Sequence, residues 1–218
     1  MINLLLKLIA ILLLIPVMGL CQDRSWEVAV AGGAVYNFRT PLHINLRQTE
    51  DIEVDAKYRT EPFKPPIYYD VRVSTWQNER GWELKFTHHK LILENPPPQV
   101  QRFSITDGYN LLTVNRLWLL HNLTFSAGAG LVITHPESTI HHIVYPENRG
   151  IFNKGYYISG PLAEAAVAKC FYFSNRLFIL AEGRFTASFV KVPVAGGDTE
   201  VTNLALHGLL GMGFTLHR

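Results

Sequence analysis

The chain has 218 residues, 48% hydrophobic, 11% aromatic and only 17% charged, with 20 Lys and Arg against 18 Asp and Glu for a formal net charge of +2. So small a positive balance leaves no electrostatic footprint for nucleic acid. Two cysteines, Cys21 and Cys170, are too few for a disulfide-stapled scaffold or a cysteine-based zinc cluster.

Lys7 precedes an apolar run of about 13 residues, shorter than the ~20 a membrane-spanning helix needs. Gly19 and Cys21 then fit the −3 and −1 positions of a signal-peptidase site. Residues 1–21 are expected to be a signal peptide, with Gln22 the new N-terminus. Lipidation of Cys21 is the alternative, although Leu20 suits it poorly. Loss of Lys7 lowers the net charge to +1, and residues 22–218 suit one domain.

The first strand is predicted over 26–38, with Trp26, Val28, Val30, Tyr36 and Phe38 on one face and Glu27, Ala29, Ala31 and Gly33 on the other. A long polar segment, 39–66, reads as an extracellular loop with a small hairpin outside the barrel, made from 43–46 and 52–56. Further strands are expected over 68–76, 81–93, 102–119, 123–134, 156–173, 177–190 and 204–216. The stretch from Trp82 to Phe86 shows the pattern most plainly, because Trp82, Leu84 and Phe86 alternate with Glu83 and Lys85. Connections near 78, 121 and 175 are a few residues long. Those at 39–66, 94–100, 136–155 and 192–202 are longer.

Eight alternating strands, alternating short and long connections, and aromatics near strand ends predict an all-β, antiparallel, eight-stranded up-and-down transmembrane β-barrel. A soluble barrel of lipocalin type would instead turn its apolar side chains inward. Glu27, Asp70, Arg72, Glu83, Lys85, Glu164, Glu182, Arg184 and His207 fall on the predicted inner face. An interior of eight strands is just wide enough for side chains to fill. Mixed charges there are expected to pair and plug it, because an unpaired buried charge is very costly.

The mature chain resembles the small eight-stranded outer-membrane β-barrel proteins of Gram-negative bacteria (the OmpA/OmpX-like class). Gly211-Met212-Gly213-Phe214-Thr215-Leu216 is similar to the barrel-assembly signal of that class, Gly-x-x-apolar-x-apolar. It departs from the pattern by carrying His217-Arg218 beyond it. The resemblance implies the bacterial outer membrane, lipopolysaccharide and the barrel-assembly machinery as surroundings, and a monomer. No nucleic-acid partner and no cofactor are expected.

Two functions follow as expectations. The first is a barrel with a plugged polar lumen whose extracellular loops bind an external partner, surface or lipid. The second is a lipid A-modifying acyl hydrolase or acyltransferase. His88, His135, Ser138 and Asp107 are its candidate catalytic residues, since a histidine, a carboxylate and a serine at a lipid-facing rim are what ester chemistry requires. The likeness to lipid A deacylases and palmitoyltransferases is one of arrangement only, because Pro136 and Glu137 separate His135 from Ser138. The alternative role for these histidines is contact with lipopolysaccharide head groups or loop hydrogen bonds. No metal site is expected: adjacent His141 and His142 would point different ways on a strand, and no fixed spacing joins them to His135 or Glu147.

Overall fold

The computed structural model describes residues 25–146 and 148–217, so the expected signal peptide and Glu147 lie outside it. The described residues form twelve strands in one antiparallel sheet, rather than the eight expected. Eight are long: β1 (Ser25–Asn37), β5 (Tyr69–Gln77), β6 (Arg80–Leu93), β7 (Val100–Leu120), β8 (Leu123–Ile140), β10 (Tyr157–Tyr172), β11 (Leu177–Val194) and β12 (Gly197–His217). Four are short: β2 (Thr40–Leu46), β3 (Ile52–Ala56), β4 (Tyr58–Arg59) and β9 (Ile143–Val144). Each long strand pairs with the next, and β1 pairs with β5 along one edge and β12 along the other. The pairing path therefore returns to its start, with each of these strands hydrogen-bonded on both sides.

The short turns sit where expected. Asn78, His121 and Asn122 take positive φ, the left-handed conformation of tight hairpin turns. The long connections differ from the expectation. Residues 192–202 are mostly strand, because β11 and β12 continue to a two-residue turn at Ala195-Gly196, where Gly196 has φ 81°. Residues 136–140 extend β8. The expected outlying hairpin is β2–β3, and it is docked: β2 pairs with β12 from Leu42↔Val201 to Leu46↔Gly197, and Leu42 and Ile44 are completely buried.

The two faces of the sheet differ in chemistry, and the difference reverses along the strands. Near the short turns and through the middle, large apolar side chains point outward and stay exposed, among them Val30, Trp82, Leu84, Leu131, Ile179, Phe185 and Leu210. The inner face carries a small apolar cluster of Ala29, Ala168, Phe178 and Leu180 nearest the short turns and holds the charges through the middle. Arg72 binds Asp70 (Nε to Oδ1, 2.8 Å) and Glu182, Lys85 lies 2.9 Å from Glu164 and 3.0 Å from Glu83, and Arg184 donates to Asp70 Oδ2 at 2.8 Å and Thr87 Oγ1 at 2.8 Å. Three cations thus face four carboxylates, and all seven side chains are buried. Glu27, at the edge of this layer, is only half-buried and accepts from Trp76 Nε1 and Tyr172 Oη.

Above the charges comes a neutral polar layer. His207 bonds Tyr68 Oη (3.1 Å) and Thr186 Oγ1 (3.0 Å), and Tyr109 bonds Ser188 (2.8 Å). Beyond it the interior turns apolar. Leu42, Ile44, Leu91, Phe103, Ile105, Val132, Ile140, Val190, Val192 and Val201 form the main core, roofed by β2–β3. Over the same length the outward positions become polar, as at Lys191, Glu200, Arg102 and Glu137.

The packing sets how much each kind of ion pair contributes. Arg184→Met strips Asp70 and Glu182 of a buried counter-charge, and should lower unfolding stability by about 3–5 kcal/mol in a urea titration. Lys57→Met, which breaks a partly exposed pair with Glu94, should cost under about 1 kcal/mol. At the β11–β12 tip, the hydrogen bond from Lys191 holds the Asp198 carboxyl below its usual range, partial burial opposes it, and Asn45 Nδ2 adds a second bond at 3.1 Å. A depressed carboxylate stabilises above its unfolded pKa of ~3.9, and that stabilisation disappears as pH falls through the folded value. Hydrogen-exchange protection of β2 should therefore drop on acidification below about pH 4, and Asp198→Asn should flatten that dependence.

Candidate functional site

The sequence candidates fall near one irregularity. Ile105 pairs with Pro136 and Tyr109 with Thr134, so Thr106, Asp107 and Gly108 of β7 stand opposite the single residue His135. On the other edge the same three residues stand opposite Lys90, between Leu91↔Ile105 and His89↔Tyr109. This wide bulge swings Asp107 out of the ladder. Gly108 has φ 148°, and a Cβ there would lie 2.2 Å from Asn110 Nδ2.

His135 is two residues past Ile133 and continues its outward face, at the level where that face changes from apolar to polar. Only 6% of His135 is exposed. Tyr156 packs over it with ring centroids 5.0 Å apart, and Tyr156 Oη donates to the Asp107 carbonyl at 3.2 Å. His135 Nδ1 is buried with no hydrogen-bond partner among the described residues. Glu137, the next outward residue, binds Arg102 and accepts from Thr106 Oγ1 at 3.0 Å. Ligand-capable atoms of Asp107, His135 and Glu137 all lie within 4.8 Å of one another.

His88 lies across the bulge on the same outward face. It stacks on Tyr69 at 5.1 Å and donates from Nδ1 to Asn110 Oδ1 at 2.8 Å, leaving Nε2 buried without a partner. A shallow groove runs beside it, lined by Pro66, Tyr69, Asp107, Asn110, Ile133 and Tyr156. Lys90 Nζ donates to the Lys64 and Pro65 carbonyls at 3.0 and 2.9 Å, holding the residue 60–68 segment against this side of the sheet.

Ser138 is elsewhere. It stands three residues from His135 on a strand, hence on the opposite face. It is buried inside, and its Oγ accepts from the Ala195 N–H at 2.9 Å. The structure thus brings His88, Asp107 and His135 to one outward patch and excludes Ser138 from it. Glu137 was detectable from its two-residue spacing to His135, which shares a face on any strand. Tyr156 and Arg102 were not, because the bulge and the strand register place them. His141 and His142 occupy the turn after β8, with φ 49° and 64°.

With this geometry in view, the fold is all-β and antiparallel, with inverted polarity, and it resembles the small outer-membrane barrel proteins. No protein-family profile and no curated protein matches the sequence. Among solved structures, the outer membrane protein AlkL in DMPC lipid bilayers is similar at 8% identity, over 90% of this chain and 92% of that one, with a TM-score of 0.51. Ail, the attachment invasion locus protein of Yersinia pestis, aligns at 8% identity over 88% and 97% of the two chains, with a TM-score of 0.41. Neisserial surface protein A aligns at 7% identity over 88% and 99%, with a TM-score of 0.42. Of these, the AlkL likeness alone bears on the fold, and it bears on nothing further.

If Gly108 shapes the site, Gly108→Ala should unseat Asn110 and its bond to His88. The expected result is a shifted His88 imidazole resonance in NMR with the bulk of the sheet spectrum unchanged.

Proposed function

We propose that this is an integral outer-membrane protein of a Gram-negative bacterium whose eight long strands form a closed barrel with a plugged interior, and that it works as a surface-binding platform. The reversal of polarity carries the reading. A sheet with Trp82, Leu84, Leu131 and Leu210 exposed outside and seven ion-pairing side chains buried inside is suited to hydrocarbon around it. In water such an outward face would form one large apolar patch. Above the apolar belt, outward charges and an inner apolar core are what a water-exposed cap requires.

The interior supports sealing over conduction. The ion-pair layer, the Tyr–His layer and the apolar cap lie in series, each filled by side chains from facing strands. The hairpin is docked on β12 as part of the cap, and binding is assigned to the tip of that cap. A groove there is lined by Leu46, Arg47, Ile143, Val144, Tyr145 and Arg149, and Ile143 and Val144 are 60% and 70% exposed beside the two arginines. Lipopolysaccharide would surround the rim below. Ser138, the serine named for the lipid A-modifying alternative, is buried on the inner face, which favours the platform reading.

Orientation and sealing are both testable. A membrane-impermeant maleimide should label Thr49→Cys in intact cells and should reach Asn122→Cys only after the outer membrane is permeabilised. The reverse pattern, or steady ion conductance by the purified protein in planar bilayers, would overturn the proposal.

A further inference from the structure

The bulge at residues 106–108 places three groups of metal-ligating chemistry together on the outward face: a carboxylate from Asp107, a carboxylate from Glu137 and an imidazole nitrogen of His135, all within 4.8 Å of one another. We infer that Asp107, His135 and Glu137 form a binding site for a divalent first-row transition cation of the Zn2+ or Mn2+ kind.

Two independent features support a ligand there. His135 is almost wholly buried, yet its Nδ1 has no partner among the described residues, which leaves a donor or acceptor for a water or a bound ion to satisfy. The chain also departs from regular strand geometry to bring Asp107 in. In an uninterrupted ladder Asp107 would pair through its backbone, whereas three residues of β7 spread opposite His135 free it to approach.

The donor set selects the ion class. An imidazole with two carboxylates suits Zn2+ or Mn2+, whereas Ca2+ and Mg2+ take oxygen ligands. Zinc bonds of ~2.0–2.2 Å require the three atoms to draw somewhat closer than they stand, which rotation of the exposed Asp107 side chain supplies. Glu137 is already oriented by Thr106 and Ser104, as metal-bound carboxylates commonly are. Its pairing with Arg102 competes with a cation. The Arg102 side chain is 58% exposed, however, so its guanidinium can turn to water when the ion arrives. Three protein ligands leave at least one coordination position open, and that position faces outward at the level where the apolar belt ends.

The site does not depend on the surface-platform reading and is tested separately from it. Calorimetric titration of the purified, detergent-folded full chain with Zn2+, and electron paramagnetic resonance with Mn2+, should show one stoichiometric site. Asp107→Asn and His135→Gln should each weaken binding by roughly 100-fold, since even outer-shell changes cost 10–100-fold. A double variant at the exposed turn, His141→Ala with His142→Ala, should leave the affinity unchanged. Asp107→Asn is the deciding variant because its side chain is exposed and its loss does not threaten folding. Absence of a stoichiometric site in the wild type, unchanged affinity in Asp107→Asn, or loss of binding in the His141/His142 variant would each overturn the inference.

Discussion

One constraint organises this molecule: the strands must satisfy opposite surroundings at their two ends. On β11 the outward residues Ile179, Phe185 and Phe189 are apolar, and the next outward residue is Lys191. The inward set changes in the opposite sense, from Glu182 and Arg184 through Thr186 and Ser188 to Val190, Val192 and Val194. The same exchange occurs on β8, where Ile133 gives way to His135 and Glu137 outside. A strand that ended at the exchange would have an outer belt and no cap. By continuing, it builds a second core whose sidedness is that of a water-soluble protein.

That exchange explains what could be read from the sequence. Alternation within the belt is strong, because an outward aromatic or leucine is set against an inward charge, glycine or alanine, so 81–93 and 177–190 emerged nearly intact as strands. Past the exchange the alternation persists with its meaning reversed. Val192, Val194 and Val201 interleaved with Pro193 and Glu200 are strand, but an expectation keyed to an apolar outside assigns them to a loop. The polar character of 39–66 placed its hairpin outside the barrel and concealed the docking for the same reason, since Leu42 and Ile44 alternate with exposed Pro41 and His43.

The site candidates divide along similar lines. Residue type and strand face put His88 and His135 on the outward face, because each continues an outward run of apolar residues. The placement of Asp107 depended on three β7 residues opposing one β8 residue, and no periodicity in the sequence reports such a bulge. Residue type grouped Ser138 with His135 although, three residues away on one strand, it falls on the opposite face and is buried inside.

The buried ion pairs also tie together parts of the chain that are far apart in sequence. Asp70 meets Arg184 across 114 residues, Arg72 meets Glu182 across 110, and Lys85 meets Glu164 across 79. The early strands also pair locally, Arg72 with Asp70 and Lys85 with Glu83, so the four charges of β5 and β6 balance among themselves. Glu164, Glu182 and Arg184 of β10 and β11 do not balance, and the excess negative charge of the layer sits there. The dependence between the two halves is therefore unequal: the later strands need Arg72 and Lys85 of the earlier ones as partners, because a buried carboxylate without one is costly.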